Sequence, residues 1–124
     1  MYKYNLICDI GNTDTKIFFY RNYKIIKSLR LKTKNINQTF LNKKLYAFKK
    51  YNKFLTFALI SSVVPKVFKY FKMYFKKKNI KCLELKNVNL KKIINIKVNY
   101  NQIGSDRIAN AISIMDNKNN YIVV

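Results

Sequence analysis

Leu6-Ile7-Cys8-Asp9-Ile10-Gly11-Asn12-Thr13-Asp14-Thr15-Lys16-Ile17-Phe18-Phe19-Tyr20 is the stretch on which the reading of this chain turns. Leu6-Ile7-Cys8 is a short apolar run of the kind that forms a buried strand, and Thr15 to Tyr20 is a second strand rich in β-branched and aromatic residues. Between them lie a carboxylate, a glycine and small polar side chains. A strand, a tight polar turn and a strand make a hairpin. Gly11 can adopt φ > 0 and lets backbone N–H groups approach a ligand. Asn12 and Thr13 add side-chain donors for phosphate oxygens. Asp9 suits Mg²⁺, which favours carboxylates together with phosphates, and Lys16 offers a point charge. The tip therefore reads as a place for phosphates and a metal. The competing reading is an ordinary hairpin turn, for which Gly and Asn are common residues.

Around this hairpin the chain reads as three strands in a meander, over 4–10, 15–20 and 24–30. A helix over 37–51 follows, with Phe40, Leu41, Leu45 and Phe48 on its apolar side. Residues 54–60, continuous in apolar side chains, form a buried strand of parallel type. Ser61-Ser62-Val63-Val64-Pro65 leads into a helix over 65–78, with serines able to cap it and Pro65 in its first turn. Val67, Phe68, Phe71, Tyr74 and Phe75 face the core, and Lys69, Lys72 and Lys76 face water. A short strand over 80–85, an ambiguous stretch over 88–99, a helix over 105–116 and a strand from Tyr121 to Val124 complete the pattern. A meander followed by crossover units implies an α/β fold, a mixed sheet with helices on its faces, in the element order of a ribonuclease-H-like domain.

The chain has 124 residues, which suits one domain able to bury roughly two thirds of its unfolded surface. Its hydrophobic fraction of 49% argues against disorder. No apolar run approaches the ~20 residues of a membrane span, and the N-terminus lacks a signal-peptide layout, so the expected location is cytoplasmic with no membrane partner. Cys8 and Cys82 read as reduced thiols acting as small hydrophobes. The chain has no histidine, which removes Cys/His and Ser/His catalysis and leaves acid–base work to Asp, Glu, Lys or Tyr.

A net charge of +21 raises the question of nucleic acid. The positive charge is nearly all lysine, however, with arginine at Arg21, Arg30 and Arg107 alone, and bidentate phosphate contacts favour arginine. Abundant Lys, Asn, Ile, Tyr and Phe together follow A/T-rich codons. Nucleic acid is therefore not the expected partner. The five acidic residues, Asp9, Asp14, Glu84, Asp106 and Asp116, are more informative. Asp106 follows Gly104-Ser105 at a helix start, next to Arg107. There it reads either as a helix cap or as a general base beside a carboxylate-gripping arginine.

Asp9-Ile10-Gly11-Asn12-Thr13, Ser61-Ser62-Val63-Val64-Pro65 and Gly104-Ser105-Asp106-Arg107-Ile108-Ala109-Asn110-Ala111 occur in this order, and together they resemble the type III pantothenate kinase family of the acetate and sugar kinase/Hsp70/actin superfamily. The resemblance runs from Asp9 to Val124. It implies an actin-like ATPase fold and phosphoryl transfer from ATP to the primary hydroxyl of pantothenate, the first step of coenzyme A synthesis. It assigns ATP to Asp9, Ile10, Gly11, Asn12, Thr13, Asp14, Thr15 and Lys16, and Mg²⁺ to Asp9. It assigns pantothenate to Tyr100, Gly104, Ser105, Asp106 and Arg107, with Asp106 as base. It also implies K⁺ or NH₄⁺ as a monovalent cofactor and a homodimer of the full-length form. Ser105 takes the family's alanine position. Two departures stand out: the loop from Tyr100 to Gly104 looks shortened and lacks the family's proline, and the larger one is length. The family also continues past a strand like Tyr121–Val124 into an Asp-Phe-Gly-Thr-type turn and a second domain, which holds the monovalent-cation ligand. Residues 1–124 are thus expected to be the first of two domains and to lack useful activity alone. The alternatives are a basic nucleic-acid-binding or accessory-factor-type module and a degenerate remnant.

Overall fold

A computed structural model describes residues 4–22 and 24–88. Strands β1 (Tyr4–Ile10), β2 (Asp14–Arg21) and β3 (Lys24–Lys32) form the expected meander. Helices α1 (Gln38–Tyr46) and α2 (Lys49–Asn52) lead to β4 (Leu55–Ser62), and α3 (Pro65–Lys77) leads to β5 (Lys81–Glu84). The sheet order is β3-β2-β1-β4-β5. The meander pairs are antiparallel, whereas β1–β4 and β4–β5 are parallel. This is the mixed five-stranded sheet of a ribonuclease-H-like, actin-like ATPase domain. The readings for the helix over 105–116, the strand from Tyr121 and the loop containing Tyr100 and Gly104 lie outside the described residues.

Alternation along the strands decides which face is covered. Leu6, Cys8 and Ile10 of β1, Ile17 and Phe19 of β2, and Ala58 and Ile60 of β4 are buried on one face. Leu41 and Leu45 of α1 and Val67, Phe71 and Phe75 of α3 close over them. The two helices are tied together where Gln38 donates to the Tyr70 carbonyl at 3.1 Å. The described helices all join this one core, with Phe68 at its margin as a half-buried side chain.

Three expectations needed correction. The single helix over 37–51 is two. The Asn37 side chain caps α1 by accepting the Phe40 N–H, but Phe48 leaves helical geometry at φ −106° and ψ 17°. The break turns Phe48 and Tyr51 onto Phe19, with ring centroids 5.2 and 5.7 Å away. Packing on one aromatic side chain thus overrides the helical period. The serines do not cap α3, whose N-cap is Val64; instead Ser62 Oγ accepts the Val64 N–H at 3.1 Å. Finally, β3 runs on to Lys32, two residues beyond the expected end, which carries Lys32 and Thr33 up beside the β1–β2 turn.

Phe19 is fully buried and is the side chain on which the aromatic cluster closes. Phe19→Ala is expected to lower unfolding free energy by about 3–5 kcal/mol. Met73→Ala, at a half-exposed site on α3, should cost under about 1 kcal/mol. Urea denaturation of both variants checks the contrast.

Candidate phosphate-binding turn

Cys8 and Ile10 are buried on the helix side, so strand alternation places the intervening Asp9 on the opposite face. Register then builds a row across four strands. Asp9 pairs with Ser61 on β4 and Lys16 on β2, and Lys16 pairs with Arg30 on β3. Ser61 is buried, and its hydroxyl has no hydrogen-bond partner among the described residues. This polar row sits at the carboxyl ends of the parallel strands β1 and β4, the end at which open α/β sheets take up ligands.

The turn above the row is held by its backbone. Gly11 N–H donates to the Asp14 carbonyl at 3.0 Å. Gly11 does not use the positive φ expected of it. Glycine is favoured by closeness instead, since a Cβ there would lie 3.0 Å from that same carbonyl oxygen and would press the backbone apart. Val63 N–H reaches the Ile10 carbonyl at 3.0 Å, and Thr33 N–H reaches that of Thr13 at 2.9 Å. The Thr33 hydroxyl donates to the Gly11 carbonyl at 2.8 Å and lies 2.9 Å from that of Thr15. Asn12 and Thr13 are left exposed at the tip.

The structure separates the residues expected to face ATP. Asp9, Gly11, Asn12, Thr13 and Lys16 come together at the tip and the polar row. Ile10 and Thr15 point into the core and offer only backbone to a ligand. Asp14 forms ion pairs with Arg30 and, at 3.0 Å, with Lys32. The hydrogen bond from Arg30, then that from Lys32, lowers its carboxyl below the ordinary value. Its present partners make it a strut between β2 and β3. Burial, with a smaller contribution from the Asp9 charge, pushes the Cys8 thiol well up, and burial raises Cys82 to about 11. Both remain free thiols. Thr33 escaped the sequence reading as a site residue, because a threonine just past a strand is ordinary in composition; Ser61 belongs to the Ser61–Pro65 segment that the sequence singles out, although it was not named as a ligand.

A separate cavity of about 420 Å³, lined among others by Tyr46, Lys49, Asn52, Leu55, Tyr74 and Lys78, opens at the start of β4, the opposite end from Ser61. Lys49 donates to the Tyr46 hydroxyl at 3.1 Å and lowers that phenol's pKa. The cavity is basic, but it lies at the wrong end of the parallel strands for the row around Asp9.

A family model described as type III pantothenate kinase matches residues 5–124. The chain belongs to that family. It is similar to the type III pantothenate kinase of Pelagibacter ubique (strain HTCC1062), with 53% identity over 121 residues, covering 96% of this chain and 49% of the relative. The chain thus spans about half the length of the curated relative it matches. Among its described residues, no helix is long and apolar enough to cross a membrane.

The Asp14 ion pairs give a pH signature. Because its folded pKa is depressed, the stabilisation is present above the ordinary value of 3.8 and is lost as pH falls below it through the folded value. Asp14→Asn should therefore melt below the wild type at pH 7, and the gap should close as pH drops under 3.8. Melting curves at stepped pH check both the sign and the window.

Proposed function

We propose that the protein transfers the γ-phosphoryl group of ATP to the primary hydroxyl of pantothenate. The observation that carries this reading is the turn Gly11–Thr13, fixed at the carboxyl ends of β1 and β4 with Asp9 in register beneath it. Phosphoryl transfer asks a protein mainly for positioning and charge stabilisation. Backbone and side-chain donors of Gly11, Asn12 and Thr13 hold phosphate oxygens in this reading, and Lys16 adds positive charge. Ile10, Asp14 and Thr15 support the turn from behind.

The donor set suits Mg²⁺ of the kind held jointly by protein and nucleotide. The described residues offer two carboxylates at the turn, Asp9 and the Asp14 that Arg30 and Lys32 already hold, and no cluster of three metal-ligating side chains; Mg²⁺ bound to phosphates commonly needs only one or two carboxylates. Asp9 would hold it directly or through water. Bound there, the ion would neutralise charge on the phosphates. Asp106 is the base that takes the proton from the pantothenate hydroxyl, with Tyr100, Gly104, Ser105 and Arg107 holding that substrate. A monovalent cation, K⁺ or NH₄⁺, completes the cofactors, with its ligand outside residues 1–124. In this reading residues 1–124 are the first of two domains, turn over pantothenate poorly alone, and work in the cytoplasm as part of a homodimer.

Asp9→Asn and Asp106→Asn, made in the protein as its cells produce it, test the assignment. Each should lower kcat at least about 100-fold in an ADP-coupled assay, with circular dichroism unchanged. Pantothenate-dependent turnover at the wild-type rate in either variant contradicts it.

A further inference from the structure

The hydroxyl of Thr33 has one proton, and it is given to the Gly11 carbonyl at 2.8 Å. The 2.9 Å contact with Thr15 must then run the other way, with Thr15 donating to Thr33. Both threonines are buried, at 5% and 0% exposure. The result is a directed relay from Thr15 to Thr33 to the Gly11 carbonyl. Thr33 also donates its own N–H to the Thr13 carbonyl. One residue, 22 positions along the chain from Gly11, therefore fixes two peptide planes of the turn.

The peptide bond is planar, and the described chain contains no cis peptide. In a trans peptide the C=O and the following N–H point in opposite directions. Fastening the Gly11 carbonyl to buried Thr33 therefore aims the Asn12 N–H away from Thr33. An anion site needs this arrangement, because a carbonyl rotated toward the ligand would repel phosphate and hide the donor. Asn12 is exposed, so an N–H aimed away from the buried latch is open to an anion arriving from solvent.

We infer that Thr33 is a positioning residue for phosphate binding, holding the Gly11–Asn12 peptide with its N–H turned outward. The inference rests on the kinase reading above for the identity of the phosphate, but the latch itself is a property of this chain. Its loss should act on nucleotide affinity rather than on pantothenate. Thr33→Ser keeps the hydroxyl. Thr33→Val removes it but strands the Thr15 donor in the core, which can destabilise the fold. The double variant Thr15→Val/Thr33→Val removes both hydroxyls, so no side-chain donor is stranded and only the Gly11 carbonyl loses its partner.

The experiment compares KM for Mg·ATP, KM for pantothenate and kcat among these variants in the protein as its cells produce it. It also follows the Asn12 amide by NMR during titration with inorganic pyrophosphate. Losing one hydrogen bond of the charge-assisted class through peptide rotation should raise the ATP KM about 10- to 100-fold. That rise is expected in Thr33→Val and in the double variant, with pantothenate KM within about twofold and Thr33→Ser close to wild type. A wild-type ATP KM in the folded double variant, or an equal rise for both substrates, overturns the inference. If the wild type turns over no pantothenate, yet pyrophosphate shifts its Asn12 amide and the double variant abolishes that shift, the kinase reading fails and the latch stands. An Asn12 amide that pyrophosphate leaves unmoved overturns the latch.

Discussion

The register of β1 is the constraint on which the site depends. Cys8 and Ile10 are buried at 1% and 0% exposure on either side of Asp9. A slip of one residue would drive the carboxylate into the core and expose both apolar neighbours, so the hydrophobic pattern fixes the position of the charge. β1 is paired on both sides, antiparallel to β2 and parallel to β4. That central place brings Lys16 and Ser61 to Asp9 from opposite directions. The core therefore determines where the polar row lies, and the row sits at the end of the sheet where two parallel strands release their chains into a turn and a helix.

Backbone accounting does the rest. A turn that binds anions must spend its carbonyl oxygens elsewhere, because each buried acceptor needs a donor and each exposed one repels phosphate. Here the carbonyls of Ile10, Gly11, Thr13 and Asp14 accept from Val63, Thr33, Thr33 and Gly11 in turn. Donors from two separate segments, at Thr33 and Val63, converge on one short loop that also bonds to itself through Gly11. The two extra residues of β3 matter for this reason, since they deliver Thr33 to the turn.

Much of this was legible in the sequence. The alternation in β1 and β2, the apolar run of β4 and the proline at the start of α3 all carry local signals, and those elements stand where the pattern put them. The split between α1 and α2 was not legible, because Phe48 fits the helical stripe and is diverted only by Phe19, a residue distant in sequence. The site divided along the same line. That Asp9, Gly11 and Asn12 meet at one turn was readable from turn chemistry. The burial of Thr15, the pairing of Asp14 with Arg30 and Lys32, and the reach of Thr33 are all tertiary, and no spacing rule announces them. Gly11 shows the difference on a small scale: the residue was expected for its φ and is favoured for its missing Cβ. The charge of +21 proved a poor guide to the site, since lysines lie along the exposed face of α3 and around the cavity at the far end of β4 as well as near the turn.

That cavity makes the most direct test of the central claim a question of location. Mn²⁺·ATP, added in small amounts to the ¹⁵N-labelled protein, broadens amides near the bound metal and nucleotide. The account predicts that broadening is strongest from Asp9 to Thr13 and extends to Lys16 and Ser61, while Tyr46, Lys49 and Lys78 stay sharp. Broadening centred on Tyr46, Lys49 and Lys78, with the amides of Gly11 to Thr13 untouched, would contradict it.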